Sequence, residues 1–247
     1  MSAGMKRKSI TTFFGPVKQA KSEVDDSMFR WEVVHGTLIK ARYDPAQKVK
    51  NVEKQTEGAE LVRIAAFDLD STLVSTKTRS PFPRNGEDWK WAFESVVDVI
   101  RKMANHDKVN EVKLTSKCKE LYTTDSPPFV IAIISNQGGT IARPDTKRYQ
   151  YLYQRIHAIT QALGVPARFY GATKPPKGTT DEFRKPKTKM WSELLKDLSI
   201  TAEDVDMDNS FFVGDALGRK TDFSDSDKVF AQSVGLKCYS PEDIFQL

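Results

Sequence analysis

Three predominantly apolar runs, each ending in a polar or acidic residue, constrain this chain more than any other feature. Val62-Arg-Ile-Ala-Ala-Phe67 runs into Asp68, Phe129-Val-Ile-Ala-Ile-Ile134 into Ser135-Asn136-Gln137-Gly138-Gly139, and Phe211-Phe-Val213 into Gly214-Asp215. Near-continuous apolar strands are buried on both faces, as strands of a parallel sheet are. Helix-like stretches at 88–105, 146–163, 188–198 and 225–234 separate them, and further strands are expected at 167–170 and 236–239. The expected fold class is α/β, a doubly wound parallel sheet. In open parallel sheets ligands bind beyond the carboxyl ends of the strands. Asp68, Ser135 and Asp215, distant in sequence, are therefore expected to converge on one site.

The charge is informative once located. All five bases up to Ser22 (Lys6, Arg7, Lys8, Lys18, Lys21) are unaccompanied by any acid, so the net charge of +5 resides in that segment. Residues 1–27 lack sustained periodicity and are expected to form a disordered basic tail, with 28–247 as the folded domain. Within the domain, 168–189 carries seven bases against Asp181 and Glu182, and 203–227 carries eight acids against Arg219 and Lys220. A basic segment followed by an acidic one suits a site that holds a metal and receives a polyanion. No apolar run approaches the ~20 residues of a membrane span. Two cysteines, Cys118 and Cys238, cannot build a disulfide framework, and His35, His106 and His157 with them make no zinc site. A reducing, intracellular setting is expected, and the three histidines read as structural.

Asp68-Leu69-Asp70-Ser71-Thr72 places two carboxylates two residues apart where the chain leaves a strand, so both can reach one pocket in different roles. One can serve as nucleophile and the other as acid/base. A carboxylate nucleophile needs a metal to shield the incoming phosphate, and magnesium takes oxygen ligands of this kind. With Ser135 after the second strand, Lys185 in Arg184-Lys185-Pro186 and Asp215 after the third, the chain resembles the haloacid dehalogenase-like phosphohydrolases. A narrower resemblance is to the phosphatase domain of polynucleotide kinase 3′-phosphatases. It rests on 68–73, Asp88-Trp89-Lys90-Trp91, Ser135-Asn-Gln-Gly-Gly139, Phe183-Arg-Lys-Pro186 with Met190-Trp191, Val213-Gly-Asp-Ala-Leu-Gly-Arg219, and Asp222-Phe223-Ser224 with Asp227 and Phe230-Ala231.

The resemblance implies a DNA 3′-phosphatase that clears strand-break ends for repair through an aspartyl-phosphate. In it Asp68 attacks phosphorus, Asp70 is acid and then base, Ser135 and Lys185 grip the phosphoryl oxygens, and Thr72 orders the first loop. Mg2+ is held by Asp68, the Asp70 carbonyl, Asp215 and a further carboxylate, for which Asp227 is favoured over Asp222 and Asp225. Lys189 rivals Lys185, because a glycine often stands at its position in the family; the Arg-Lys-Pro tripeptide favours Lys185. Asn136, Arg143, Arg148, Lys174 and Arg184 are expected to contact DNA, with Lys147 and Lys177 nearby. Trp89 and Trp91 are candidates for base stacking, but at i, i+2 on a helix at least one is expected in the core. No Gly-Lys dipeptide occurs, so a phosphate-cradling kinase loop is not expected and a stand-alone phosphatase is.

In the tail, Arg7-Lys8-Ser9-Ile10-Thr11-Thr12-Phe13-Phe14 resembles the peptide by which repair proteins bind the sliding clamp (PCNA). Ile10, Phe13 and Phe14 match it, while Arg7 stands where glutamine is usual. The expected setting is a monomer in the nucleus, with Lys6-Arg7-Lys8 also able to serve as a localisation signal. Two alternatives are a small-molecule phosphatase of the histidinol-phosphatase kind, which shares Asn-Gln and Arg-Lys-Pro, and a catalytically silent module bridging DNA to the clamp.

Overall fold

The computed structural model describes residues 28–45, 61–105, 113–121 and 127–246. The tail, with Ile10, Phe13 and Phe14, and His106 lie outside the described residues. The strands and helices in chain order are β1 (Phe29–Val34), β2 (Leu38–Tyr43), β3 (Ile64–Phe67), β4 (Val74–Ser75), β5 (Lys90–Trp91), α1 (Val96–Asn105), α2 (Ser116–Leu121), β6 (Val130–Gln137), α3 (Lys147–Leu163), β7 (Ala167–Thr173), α4 (Lys189–Leu198), β8 (Phe211–Val213), α5 (Ser226–Val234), β9 (Lys237–Tyr239) and α6 (Pro241–Phe245).

Side chains alternate along a strand, so each apolar run feeds two faces of the sheet. On one face Phe67, Ile131, Ile133, Phe169 and Phe211 pack against α1 and α3; on the other Ile64, Ala66, Ile134, Tyr170 and Phe212 pack against α4 and α5. The helices match this demand. Val96, Val99, Ile100 and Met103 are buried along α1 at the i, i+3, i+4, i+7 spacing of an apolar stripe. Leu152, Ile156, Ile159 and Leu163 do the same on α3, which stops where Gly164 turns left-handed at φ 67°. Fully burying one such side chain is worth roughly 1.5–3 kcal/mol.

The strand order is β1-β2-β7-β6-β3-β8-β9, and the five strands from β7 to β9 are mutually parallel. The order reverses around β3, which lies between β6 and β8. The first strand in sequence of the parallel set thus occupies its centre, and the carboxyl ends of β6 and β8 flank its own.

The doubly wound parallel sheet is as expected, with one addition and one helix shortened. The addition is a hairpin of β1 and β2 that joins antiparallel to β7. Its turn takes left-handed φ angles of 53° at His35 and 69° at Gly36, which match the twist of paired strands. This hairpin mixes buried and exposed positions, so a search for unbroken apolar runs passes over it. The helix expected over 88–105 begins only at Val96. Trp-Lys-Trp has the period of a strand, and Trp91 lies on β5, paired with β4. Off a helix, the Trp89 and Trp91 rings meet edge-on with centroids 5.3 Å apart, and both pack against the core.

Candidate active site

At the carboxyl end of β3 the chain turns sharply, with Ser71 in the left-handed region at φ 62° and Leu73 and Val74 closing back on the Leu69 carbonyl. This turn holds Asp68 over the sheet, its backbone N–H donating to the Val213 carbonyl at 2.8 Å. Thr72 is fully buried, and its hydroxyl has no partner among the described residues. At the end of β6, Asn136 is paired twice with the backbone of Lys185: it accepts from the N–H at 2.8 Å and donates to the carbonyl at 3.1 Å. That pairing carries Lys185, 49 residues away, into the space beside Asp68.

The Lys185 ammonium is buried, donating to Asp68 Oδ1 at 2.7 Å and lying 2.7 Å from Asp227 Oδ1. Burial alone would lower the Lys185 pKa, but the carboxylates of Asp227 and Asp68 outweigh it and the net direction is up. Burial, with the charges of Asp227 and Asp215 behind it, pushes the Asp68 carboxyl up to about 7 against the pull of Lys185. Burial and then Asp227 push Asp215 up to about 6. Asp227 reaches the site only because Gly214 has no side chain: a Cβ there would stand 2.3 Å from Asp227 Oδ2.

Carboxylate oxygens of Asp68, Asp215 and Asp227 lie within 4.8 Å of one another. Three acids facing one lysine, two of them resisting ionisation, are a cluster short of positive charge. Hard oxygen donors at that spacing suit a magnesium ion, which would supply the missing charge. Asp222 and Asp225 stand apart from the cluster. Asp222 accepts from the backbone N–H groups of Leu217 and Arg219 and pairs with the Arg219 side chain. Asp225 is the N-cap residue of α5.

The cluster opens into a cleft of about 990 Å3, lined also by Asp70, Ser135, Asn136, Arg148 and Arg184. Arg148 donates to the Gly139 carbonyl at 2.9 Å, and both arginines are exposed. Arg143 and Lys174 do not line the cleft; Arg143 faces Asp145 at 3.4 Å, and both are exposed. Lys189 is likewise at the surface, paired with Glu182.

Four further cleft residues went unassigned from sequence. Arg155, on α3, donates from Nη1 to Asp70 Oδ1 at 2.8 Å, and Gln137 donates from Nε2 to Asp70 Oδ2 at 2.9 Å. Arg155 had a signal, a lone charge on the apolar stripe of α3. Gln137 also had one, since it shares a strand face with Ser135. Phe82 and Phe223 stand at the mouth of the cleft, 72% and 81% exposed where phenylalanine is ordinarily buried. Their loops are held: Asp88 accepts from the Thr78 and Arg84 backbones at 3.0 and 2.9 Å, and the Gly218 N–H donates to the Ser224 carbonyl at 3.0 Å. No spacing rule marks a loop phenylalanine as exposed.

An open α/β sheet with an aspartate pair leaving its central strand, and a lysine and further acids gathered at the same end, defines a phosphatase of the haloacid dehalogenase-like class. Residues 63–245 match the family described as polynucleotide kinase 3 phosphatase. The chain belongs to that family. It is 37% identical over 197 residues to the uncharacterized 20.8 kDa protein of the FGF-VUBI intergenic region of Autographa californica nuclear polyhedrosis virus, covering 77% of this chain and 90% of that one. It is 31% identical to the bifunctional polynucleotide phosphatase/kinase of Schizosaccharomyces pombe, over 87% of this chain but only 42% of the relative. The polynucleotide 3′-phosphatase of Saccharomyces cerevisiae is 27% identical, with 74% of this chain and 87% of the yeast protein covered.

Proposed function

We propose that the chain is a magnesium-dependent DNA 3′-phosphatase that clears strand-break ends. The observation that carries this reading is the meeting of Asp68, Lys185, Asp215 and Asp227 at the floor of a cleft whose mouth bears exposed arginines and phenylalanines. The floor is suited to a phosphoryl group. The mouth is suited to what a nucleic acid end presents beside it: backbone phosphates for Arg148 and Arg184, and base faces for Phe82 and Phe223.

In this reading an Asp68 carboxylate oxygen attacks phosphorus. As the P–O3′ bond breaks, Asp70 gives its proton to the departing 3′-oxygen. Asp70 then takes a proton from the water that attacks the aspartyl-phosphate; the P–O bond to Asp68 breaks and inorganic phosphate leaves. Lys185 and Ser135 hold phosphoryl oxygens throughout, and Thr72 orders the first loop. Asp68, Asp215, Asp227 and the Asp70 carbonyl would hold magnesium, which supplies positive charge to offset that of the phosphoryl group.

The finer assignments belong to the same reading. The activity serves DNA repair in the nucleus, with Lys6-Arg7-Lys8 for import and Ile10, Phe13 and Phe14 for the sliding clamp. These 247 residues contain no Gly-Lys dipeptide, and we assign them no 5′-kinase step. Residues 28–247 are taken as the phosphatase domain and the chain as a monomer.

The test is phosphate release with magnesium from oligonucleotides phosphorylated at the 3′ or the 5′ end, beside a small phosphomonoester, for wild type and Asp68→Asn. The expected result is selective release from the 3′ end, lost in the variant. Release from the small ester alone would replace the DNA reading with a small-molecule phosphatase, and no release from any substrate would leave a binding module.

A further inference from the structure

We propose that Arg155, assisted by Gln137, is a positioning residue that holds the Asp70 carboxyl in line with the leaving 3′-oxygen. This rests on the reading of Asp70 as the acid of the first step, and adds what keeps that acid in place. Asp70 needs such a device. It lies in the turn at the cleft edge and its side chain is 42% exposed, so core packing does little to select its rotamer. Hydrogen bonds must do so, and both of its oxygens are engaged. Arg155 donates to Oδ1 at 2.8 Å and to Oδ2 at 3.3 Å, and Gln137 donates to Oδ2 at 2.9 Å.

The holding groups are themselves fixed. The Arg155 side chain is only 3% exposed, although it carries a full charge, and it leaves α3 between the core contacts of Leu152 and Ile156. The Asp70 carboxyl oxygens and Gln137 Oε1 take its N–H groups. The second Arg155 nitrogen also donates to Gln137 Oε1 at 3.3 Å, and Gln137 donates onward to Ser135 Oγ at 3.0 Å. One hydrogen-bonded chain therefore spans from a helix in the core, through Asp70, to the hydroxyl assigned to the phosphoryl group. The acid and the phosphate grip are set in a common frame. A planar guanidinium fits two carboxylate oxygens at once, whereas an ammonium meets them as a point charge. A misplacement of about 1 Å at a reacting group costs on the order of 100-fold in rate.

The experiment separates holding the acid from holding up the fold. Wild type, Arg155→Met, Arg155→Lys, Gln137→Met and Asp70→Asn are compared by kcat/KM on two oligonucleotides, one ending in an ordinary 3′-phosphate and one whose bridging 3′-oxygen is sulfur. The thiolate departs without a proton, so its release does not need the acid. Arg155→Met is expected to lose on the order of 100-fold on the oxygen ester. Its loss on the sulfur ester should be less than about threefold, matching the pattern of Asp70→Asn. Arg155→Lys should recover part of the oxygen-ester rate, and Gln137→Met should show the same pattern at smaller amplitude, which keeps the test available if Arg155→Met does not fold. Equal losses on both esters in the Arg155 and Gln137 variants, or no loss on either, would overturn the proposal. If Asp70→Asn itself treats both esters alike, it is the assignment of Asp70 as acid that fails, and the proposal with it.

Discussion

Replacing Asp215 by asparagine should make the metal-free protein more stable and the magnesium-loaded protein less so. Burial and the Asp227 charge push the Asp215 carboxyl from an ordinary 3.8 to about 6. A carboxyl whose folded pKa lies above its unfolded one favours the folded state only while protonated. Its stabilisation is full below about pH 4 and is lost as the pH rises through about 6. At about 1.4 kcal/mol per pH unit the full cost above that window is on the order of 3 kcal/mol. Solvent at the partly open edge of the site screens this to about 1–2 kcal/mol. Asparagine keeps the shape without the charge, so in a chelator at about pH 7.5 the variant should melt roughly 2–8 °C above wild type, for a domain of this size. At about pH 4.5, where the folded Asp215 is mostly protonated and only the unfolded carboxyl ionises, the difference should fall to about a third of that at neutral pH. Magnesium should then reverse the order, since an ion at 100 times its Kd stabilises wild type by about 2.7 kcal/mol. Circular dichroism melts in chelator and in magnesium at the two pH values read all of this. A variant less stable than wild type in chelator at neutral pH, or one stabilised equally at both pH values, would refute the electrostatic account of the cluster.

Lys185→Ala strands two buried carboxylates and should cost about 3–5 kcal/mol, whereas Lys189→Ala, at the surface, should stay within about 0.5 kcal/mol and keep full activity; urea melts and phosphate release distinguish the two lysines. Alanine at both Phe82 and Phe223 should raise KM for a 3′-phosphorylated oligonucleotide by roughly 10-fold or more, at about 1–3 kcal/mol per stacked base, and leave a small phosphomonoester unaffected. An equal effect on both substrates would remove the rings from the DNA path. Phe13→Ala with Phe14→Ala should abolish capture by an immobilised sliding clamp without changing the phosphatase rate, and retained capture would end the recruitment idea.

What was legible in the chain was what repeats with a period or stands at a strand end. β3, β6 and β8 announced themselves as apolar runs, and helices α3, α4 and α5 fall within a residue or two of their expected bounds. The β1–β2 hairpin did not, because an edge hairpin with mixed burial shows no continuous run. The expected first helix starts only at Val96, because Trp-Lys-Trp has the period of a strand and Trp91 pairs with Val74. Side-chain pairings across the fold are legible only where strand ends or the family resemblance point to them, as they do for Lys185 and not for Arg155. That Lys185 rather than Lys189 faces Asp68 follows from two hydrogen bonds of Asn136, and that Arg155 meets Asp70 follows from how α3 lies on the sheet. Neither distance is encoded locally.

Gly214 contributes no atom to any reaction, yet its missing side chain is the volume Asp227 occupies. A saturation screen scored by activity would therefore rank this glycine beside the aspartates, since even alanine must evict a carboxylate from the cluster. Such a screen maps where matter is forbidden as well as where chemistry is required. Telling the two apart at this position needs a metal-binding or structural readout, because turnover alone gives the same answer for a lost ligand and for one pushed aside.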